Sequence, residues 1–134
     1  MSSSGRHYEV GQPKRFLQPC LLLLIAESPA HGYDLLDRLA EFGFERDPGG
    51  LYRALRTMEG DGLVRSEWQL SLAGPGRRHY ELTSRGHEQL QEHAEGLLEI
   101  RHVVEAYIQR YTAVEERLRT AAAVTAGRGA DGPA

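Results

Sequence analysis

The sequence predicts a mainly α-helical fold with a small β-hairpin and a long C-terminal helix. Three observations support this. Three short helical patterns, separated by Gly and Pro, fall between residues 16 and 61. Two strand-like segments joined by a Gly/Pro-rich turn follow them. A seven-residue repeat of apolar residues then runs from Leu90 to Leu118. A length of 134 residues allows one domain with an appended helix.

The first two helices are predicted at residues 16–27 and 32–42. The run from Leu21 to Ile25 is apolar all round, so helix 1 is expected to be buried on more than one side. Ser28 and Pro29 end it. Helix 2 is amphipathic, and Gly43 is a suitable residue for its C-terminal stop.

A third helix is predicted at residues 48–61. Asp47 is a good N-cap, and Pro48 suits the first helical position. Three apolar residues recur at a spacing that places them on one face, toward the core: Leu51, Leu55 and Met58.

The hairpin is predicted from strands at residues 63–70 and 77–82. The turn at residues 73–76 contains Gly-Pro-Gly, a strong loop signal. Thr83 follows as the N-cap of the final helix.

The final helix is predicted at residues 84–120, where apolar residues form a heptad seam. One set is spaced by seven, namely Leu90, Leu97, Val104, Tyr111 and Leu118. A second set, offset by three, comprises His93, Ile100, Tyr107 and Val114. This seam needs an apolar partner, so the sequence predicts a homodimer. The seam of a second subunit, or the apolar helix 1 with Leu21 and Leu24, would supply it.

Charge and composition narrow the class of protein. The net charge is -3, yet residues 46–85 hold seven Arg against five Asp and Glu. The only cysteine, Cys20, excludes an intrachain disulfide. No signal peptide or membrane span is visible, so a cytoplasmic protein is expected. The terminal segments 1–15 and 121–134 are polar or Ala/Gly-rich and are predicted to be disordered.

Catalytic and metal-binding constellations are missing from the sequence. It has no paired carboxylates, nucleophile motif or phosphate-binding loop, so an enzyme and a bound cofactor are not expected. Histidines 87, 93 and 102 lack ligand-type partners at helical spacing, and no metal site is expected.

Three helices, a two-stranded wing and a dimerising helix make a winged helix-turn-helix. In this architecture the third helix enters a DNA major groove and the wing lies over the flanking backbone. The motifs resemble the PadR family of bacterial transcriptional regulators, in its short subgroup with one C-terminal helix. The resemblance rests on His31-Gly32-Tyr33, on residues 48–56 and on the wing strand Arg77-Arg78-His79-Tyr80-Glu81-Leu82-Thr83. Family members usually carry Ser or Thr where this chain has Gly50.

The predicted DNA contacts begin on the third helix. Pro48, Gly49 and Gly50 would let backbone N–H groups approach a phosphate; the alternative is a loose first turn without a ligand. Arg53 and Arg56 would contact guanine or phosphate, or else form an ordinary solvated face. The resemblance implies that Tyr52 donates to a phosphate, with half-buried packing as the alternative.

The wing and helix 2 supply further predicted contacts. At least one of Arg77 and Arg78 is expected on the DNA backbone, because adjacent strand residues face opposite sides. For Tyr33, a phosphate contact and a place in the core are equally expected. His31 is expected to be a cap or a packing residue.

The resemblance also implies a site for a flat aromatic effector between two subunits. Tyr107 and Tyr111 would line it, with Cys20 or Leu21 across from them; plain packing is the alternative. Cys20 beside a Leu-rich run is expected to be a buried apolar residue rather than a redox sensor.

The sequence therefore predicts a homodimeric regulator that binds a palindromic double-stranded operator. It is expected to be a repressor that a small aromatic effector releases. Two alternatives remain: a dimeric winged-helix module that binds a protein, and a DNA-binding regulator without a small-molecule effector. Steep loss of binding with salt would separate the first alternative from an operator-binding protein.

Overall fold

The computed structural model describes residues 15–71 and 74–130. Its elements are α1 (Leu17–Glu27), β1 (Ala30–His31), α2 (Gly32–Leu39), a 3₁₀ turn (Ala40–Phe42), α3 (Pro48–Gly60), β2 (Val64–Ser71), β3 (Gly74–Leu82) and α4 (Ser84–Ala130). The predicted fold class is confirmed, since helices dominate and one small antiparallel sheet precedes a long C-terminal helix. The second helix is shorter than predicted, because its last turn tightens to 3₁₀ before Gly43.

The sheet has a third strand that the sequence did not indicate. Its order is β1-β3-β2, and the two-residue β1 pairs Ala30 with Tyr80 and His31 with His79. A strand of two residues is too short to produce an alternating pattern. Its effect on the site is large, because it attaches the start of α2 to the wing.

The predicted turn at residues 73–76 is partly wrong. Ala73 lies outside the described residues, whereas Gly74, Pro75 and Gly76 begin β3. A proline is tolerated there because β1 pairs only with residues 79 and 80, so the missing N–H breaks no bond with that neighbour. An irregularity between Gln69 and Ser71 also interrupts the β2–β3 ladder nearby.

The core lies between the first three helices and the sheet. The predicted α3 face is confirmed, since Leu51, Leu55 and Met58 are buried. The remaining core comes from α1, α2 and the sheet and includes Cys20, Leu21, Leu22, Leu24, Ile25, Leu35, Leu36, Leu39, Val64, Tyr80 and Leu82. Full burial of such side chains stabilises the fold by about 1.5–3 kcal/mol each.

The burial of α1 corrects two predictions. Leu21 and Leu24 are 0% and 1% exposed, so they have no surface to offer a second subunit. Cys20, at 2%, likewise cannot line an effector site. Their side chains fill the core of their own chain, and within the predicted apolar run it is Leu23 that reaches the surface.

A compact hydrogen-bonded joint connects the wing to α4. The Thr83 hydroxyl donates to the Gly62 carbonyl over 2.6 Å and accepts the Gly86 N–H over 3.0 Å. The backbone N–H of Thr83 donates to the Leu63 carbonyl. Thr83 therefore caps the helix as predicted.

The chain divides into two compact units at residues 94 and 95. The first therefore includes the start of α4, where Leu90 packs against the core. In the second unit the helix continues to Ala130, which corrects the predicted disorder of residues 121–130. The alanines at 121–123 have the highest helix propensity of any residue. Residues 131–134 and 1–14 lie outside the described residues. Among the described helices, none is long and apolar enough to span a membrane.

Candidate nucleic-acid interface

Helix α3 presents a polar face away from the core. Its apolar residues are buried, whereas Tyr52, Arg53 and Arg56 are exposed. The Asp47 carboxylate caps the helix by accepting the Gly50 N–H over 3.0 Å. The exposed face is thus held on a helix fixed at its N-terminus and along its buried side.

A groove of about 530 Å³ lies between α3, the start of α2 and the wing. Aromatic, basic and glycine residues of α2, α3 and the three strands line it: His31, Gly32, Tyr33, Tyr52, Trp68, Gly76, Arg77, Arg78 and Tyr80. None of these described lining residues carries a carboxylate. The groove therefore brings together four of the predicted DNA contacts: Tyr33, Tyr52, Arg77 and Arg78.

Gly32 and Tyr52 fit against each other. A Cβ on Gly32 would lie 2.7 Å from Cε1 of Tyr52, closer than real Cβ contacts. The Tyr52 ring thus occupies space that only glycine leaves free at the start of α2. This packing couples the His-Gly-Tyr motif to the Leu-Tyr-Arg motif of α3. Tyr52 is 38% exposed, so it packs and also faces the groove.

Tyr33 lies on the surface rather than in the core. It is 62% exposed, and the Arg46 guanidinium lies 5.2 Å from its ring centroid. Arg46 also pairs with Asp37. The hydrogen bonds that Arg46 donates to Asp37 and Tyr33 raise the pKa of its guanidinium. These contacts hold the Tyr33 ring at the rim of the groove.

Trp68 is a wing residue that sequence reasoning did not include in the site. A Cβ on Gly76 would lie 2.3 Å from its Nε1, so the indole covers the glycine. The Arg78 guanidinium lies 5.8 Å from the indole centroid, and its Nη1 donates to Ser66 over 2.9 Å. The strand register pairs Trp68 with Arg78. That register is the signal that could have placed Trp68 beside the basic pair.

His31 connects the start of α2 with strand β3. Its Nδ1 lies 3.3 Å from the carbonyl oxygen of Arg78, and its ring meets the His79 ring edge-on at 5.3 Å. His31 makes no side-chain cap bond at the start of α2. His31 therefore packs against residues of β3 and does not cap α2 through its side chain.

The start of α3 differs from the predicted phosphate site. A Cβ on Gly50 would lie 2.3 Å from Oδ2 of Asp47, so this glycine leaves room for the carboxylate. A carboxylate already occupies the place where the helix N-terminus favours an anion. The side chains of Ser or Thr, usual here in the resembling family, could not coexist with this position of Asp47. Pro48 and Gly49 are exposed beside it.

Arg53 and Arg56 lie on the exposed α3 face. A Cβ on Gly49 would lie 3.3 Å from Nη1 of Arg53, so this side chain folds back toward the helix start. Burial raises the pKa of the Tyr80 hydroxyl, whereas the positive charges of Arg78 and Arg56 act to lower it. Arg56 and Arg78 thus both add positive potential at Tyr80, which lines the groove.

The segment of α4 in the second unit exposes a long apolar stripe. Six seam residues are at least 40% exposed: Ile100, Val104, Tyr107, Tyr111, Val114 and Leu118. Leu97 and His93 are half-buried. A surface groove of about 670 Å³ runs along the stripe and includes Tyr107, Arg110 and Tyr111. The Tyr111 hydroxyl donates to Glu115 over 3.1 Å, which raises the pKa of Tyr111.

Cys20 is shielded from chemistry at the surface. Burial raises the pKa of its thiol to about 11, from an ordinary value of 9.0. A reactive cysteine needs the thiolate, so this environment favours an inert side chain. Among the described residues, no cluster of His, Cys, Asp and Glu could hold a metal ion.

Comparison with known proteins identifies the family. The sequence model of the PadR-like family of transcriptional regulators matches residues 21–92. Transcriptional regulator Rv3488 of Mycobacterium tuberculosis is 37% identical over 75 residues, which cover 56% of this chain and 69% of the relative. The family and this relative are transcriptional regulators, not enzymes.

Solved structures agree. A potential transcription factor, TM0937, is 35% identical with a TM-score of 0.68, covering 79% of this chain and 97% of the other. The PadR-like transcription factor of Bacteroides fragilis is 32% identical with a TM-score of 0.60, covering 67% and 87%. Bacillus subtilis PadR in complex with operator DNA shares the fold at 21% identity, with a TM-score of 0.54 and coverage of 60% and 47%. The family match spans more than half of the chain, and the chain therefore belongs to the PadR-like family of transcriptional regulators.

Proposed function

We propose that this chain is a homodimeric repressor of transcription that binds a palindromic operator in double-stranded DNA. The observation that carries the proposal is the groove between α3, α2 and the wing, which is basic and aromatic and has no carboxylate among its described lining residues. A recognition helix beside such a groove has the arrangement of winged helices on DNA. Phosphates, which are anionic, are attracted to its arginines.

The exposed arginines divide into two groups by element. Arg53 and Arg56 on α3 contact base edges in the major groove, where a guanidinium bonds guanine in a bidentate manner. Arg77 and Arg78 on the wing contact flanking phosphates and fix the register without selecting sequence. Tyr33 and Tyr52 add hydroxyl donors at the groove rim.

The apolar stripe of α4 is the surface that joins two subunits. Val104 is 47% exposed and Leu118 is 67% exposed, on a helix whose seam continues for four heptads. A contiguous apolar surface of this kind is rare on a monomer. Pairing of two α4 seams covers it and supplies the two recognition helices that a palindromic operator needs, since its half-sites lie about 34 Å apart.

A flat aromatic effector binds along this stripe and releases the operator. Tyr107 and Tyr111 supply ring faces, and Arg110 supplies a positive charge to the same groove. A ligand between the two α4 helices changes the separation of the two recognition helices. The dimer interface is then the two-state element that couples effector and DNA.

The test is a fluorescence anisotropy titration with promoter DNA from upstream of the protein's own gene. We expect saturable binding that random competitor DNA does not remove. Raising the salt concentration should weaken binding steeply, because each neutralised phosphate releases counterions.

Arg53→Ala separates DNA contact from folding. Loss of a bidentate base contact should weaken operator binding by about 1–3 kcal/mol. The thermal midpoint should stay near that of the parent protein, because Arg53 is exposed. Glu67→Ala, an exposed wing residue outside the groove, is the control. Binding to every tested promoter that is no tighter than to random DNA, with an intact dimer, would contradict the proposal.

A further inference from the structure

We propose that the groove between α3, α2 and the wing is also a binding site for a planar aromatic anion, which excludes DNA by occupying the same space. The exclusion rests on the proposed operator binding; the site itself does not. It is separate from the α4 groove and would act without any change in the dimer interface.

The walls of the groove favour a planar ring. Trp68 is 59% exposed and its indole is held against Gly76, where no side chain competes for the space. Tyr52 of α3, which also lines the groove, is held in a similar way against Gly32. Two fixed aromatic side chains present ring faces and edges, on which a flat ligand can stack. The volume of about 530 Å³ lies within the usual range for small-molecule sites.

The charge of the groove favours an anion. Arg77 and Arg78 lie together at the wing side, and His31 lines the α2 side. No described lining residue carries a carboxylate that would offset them. Arg78 is positioned by its bond to Ser66 and by its cation–π contact with Trp68, so its guanidinium is oriented before a ligand arrives. Such a guanidinium bonds carboxylate and phosphate oxygens strongly.

The ring platform and the oriented cation occur at one place. Neither feature is needed for a phosphate contact alone, which requires only a mobile cation or an N–H group. An aromatic carboxylate and a nucleotide share the required chemistry, namely a flat ring attached to an anionic group. A ligand stacked on Trp68 and bound to Arg78 occupies the space that a DNA phosphate needs.

Calorimetric titration of the full chain without DNA tests the site. The probes are 2-naphthoate, its neutral counterpart 2-naphthamide and the non-planar cyclohexanecarboxylate. We expect 2-naphthoate to bind at least about tenfold more tightly than either control, since each lacks one of the two recognition features. Adenosine monophosphate is a fourth probe and distinguishes a nucleotide from a carboxylate as the ligand. Emission from Trp68, the only tryptophan of the chain, should change when this nucleotide binds.

Variants locate the bound probe. Arg78→Gln and Trp68→Leu should each weaken 2-naphthoate binding by about tenfold or more. Arg65→Gln removes the same charge from the wing outside the groove and should leave binding unchanged. Absence of 2-naphthoate and nucleotide binding, or 2-naphthoate binding that both Arg78→Gln and Trp68→Leu leave unchanged, would overturn the site.

Competition tests the exclusion of DNA. Once the concentration of 2-naphthoate exceeds its Kd for the chain, we expect the apparent Kd for promoter DNA to rise in proportion to that concentration. A ligand that binds through Arg78 while the promoter DNA stays bound would overturn the exclusion. A chain that binds the ligand but no DNA would overturn the proposed function and leave the site standing.

Discussion

A single glycine determines where an aromatic ring lies in the candidate interface. The Tyr52 ring lies where a side chain on Gly32 would project, with 2.7 Å between its Cε1 and the position that a Cβ would take. The ring in turn forms one wall of the groove. Glycine is required at position 32 by the space that the Tyr52 ring fills, and not by the backbone conformation of that residue.

Gly32→Ala should therefore change DNA binding more than stability. The added methyl group moves the Tyr52 ring into the groove, since the ring can rotate and the α2 backbone cannot easily shift. Overpacking costs about 1–3 kcal/mol, and the exposed Tyr52 can relieve part of this. Operator affinity should fall about tenfold or more, measured by anisotropy. The double variant Gly32→Ala with Tyr52→Phe controls for the hydroxyl.

An unchanged operator affinity in Gly32→Ala would show that the Tyr52 position is irrelevant to DNA. A collapse of thermal stability in both variants would instead mean that the start of α2 tolerates no side chain.

Cys20 should be unreactive in the folded chain. Its pKa of about 11 compares with an ordinary 9.0. Near neutral pH the thiolate population is therefore about a hundredfold lower than for an ordinary thiol. Labelling by a thiol-specific disulfide reagent should require unfolding and accelerate in urea. Rapid labelling of the native protein would contradict the burial and reopen a redox role.

The same thiol should make the fold weaker in alkali. Its pKa is raised in the folded state, so its contribution to stability is present below 9.0 and is lost as the pH rises toward about 11. Over that interval the unfolded chain loses the proton first. Urea unfolding of Cys20→Ala should show a smaller decline, which separates this thiol from the tyrosines. An equal decline in both proteins would remove Cys20 as the cause.

At the scale of elements, the joint between wing and α4 leaves no room for a side chain. A Cβ on Gly86 would lie 2.1 Å from the Leu63 carbonyl oxygen, which belongs to the backbone. Gly86→Ala should reduce the free energy of unfolding by about 1–3 kcal/mol or more, measured in urea. Gly96→Ala is the matched control on the same helix, because no atom lies within 4 Å of its Cβ position.

That control should stabilise the helix by up to about 1 kcal/mol, the difference in propensity between Ala and Gly. If Gly86→Ala were as stable as the parent protein, the close approach of Gly86 to the Leu63 carbonyl would not be needed at the start of α4.

Elements with strong local signals could be predicted from sequence. Asp47 and Pro48 determine where α3 begins, and the spacing of Leu51, Leu55 and Met58 gives its buried face. Strand β1 could not be predicted, because its two residues are specified by pairing with β3. The helical state of residues 121–130 was also not predicted. Three alanines favour a helix there, but Gly127 and the polar end of the chain favour fraying.

The candidate site was recovered in part for a related reason. The arginines of α3 and the wing could be named because helix and strand periodicity put them on exposed faces. The contact of Trp68 with Gly76, and of Tyr52 with Gly32, joins residues that are distant in sequence. The Asp47 carboxylate above Gly50 also depends on side-chain geometry. Leu21 and Leu24 were wrongly predicted at the dimer interface, because the sequence of a helix that is apolar all round does not show whether its own chain or a partner covers it.

At the scale of the whole molecule, two copies are required for a palindromic operator, and the α4 stripe is the candidate contact. Val104→Glu puts a carboxylate in the centre of this stripe in both subunits of a symmetric dimer. The dimer dissociation constant should rise about a hundredfold or more, because association would bury an unpaired carboxylate in each subunit. Gln109→Glu adds the same charge at an exposed position five residues along the helix and is the control.

Sedimentation equilibrium measures the association, and anisotropy with promoter DNA measures its consequence. We expect Val104→Glu to lose dimerisation and high-affinity binding together, since one recognition helix contacts only one half-site. Its head should stay folded, because Val104 lies in the second compact unit and is 47% exposed. A stable monomer with full operator affinity would refute the dimeric arrangement, whereas an intact dimer would move the interface away from this stripe.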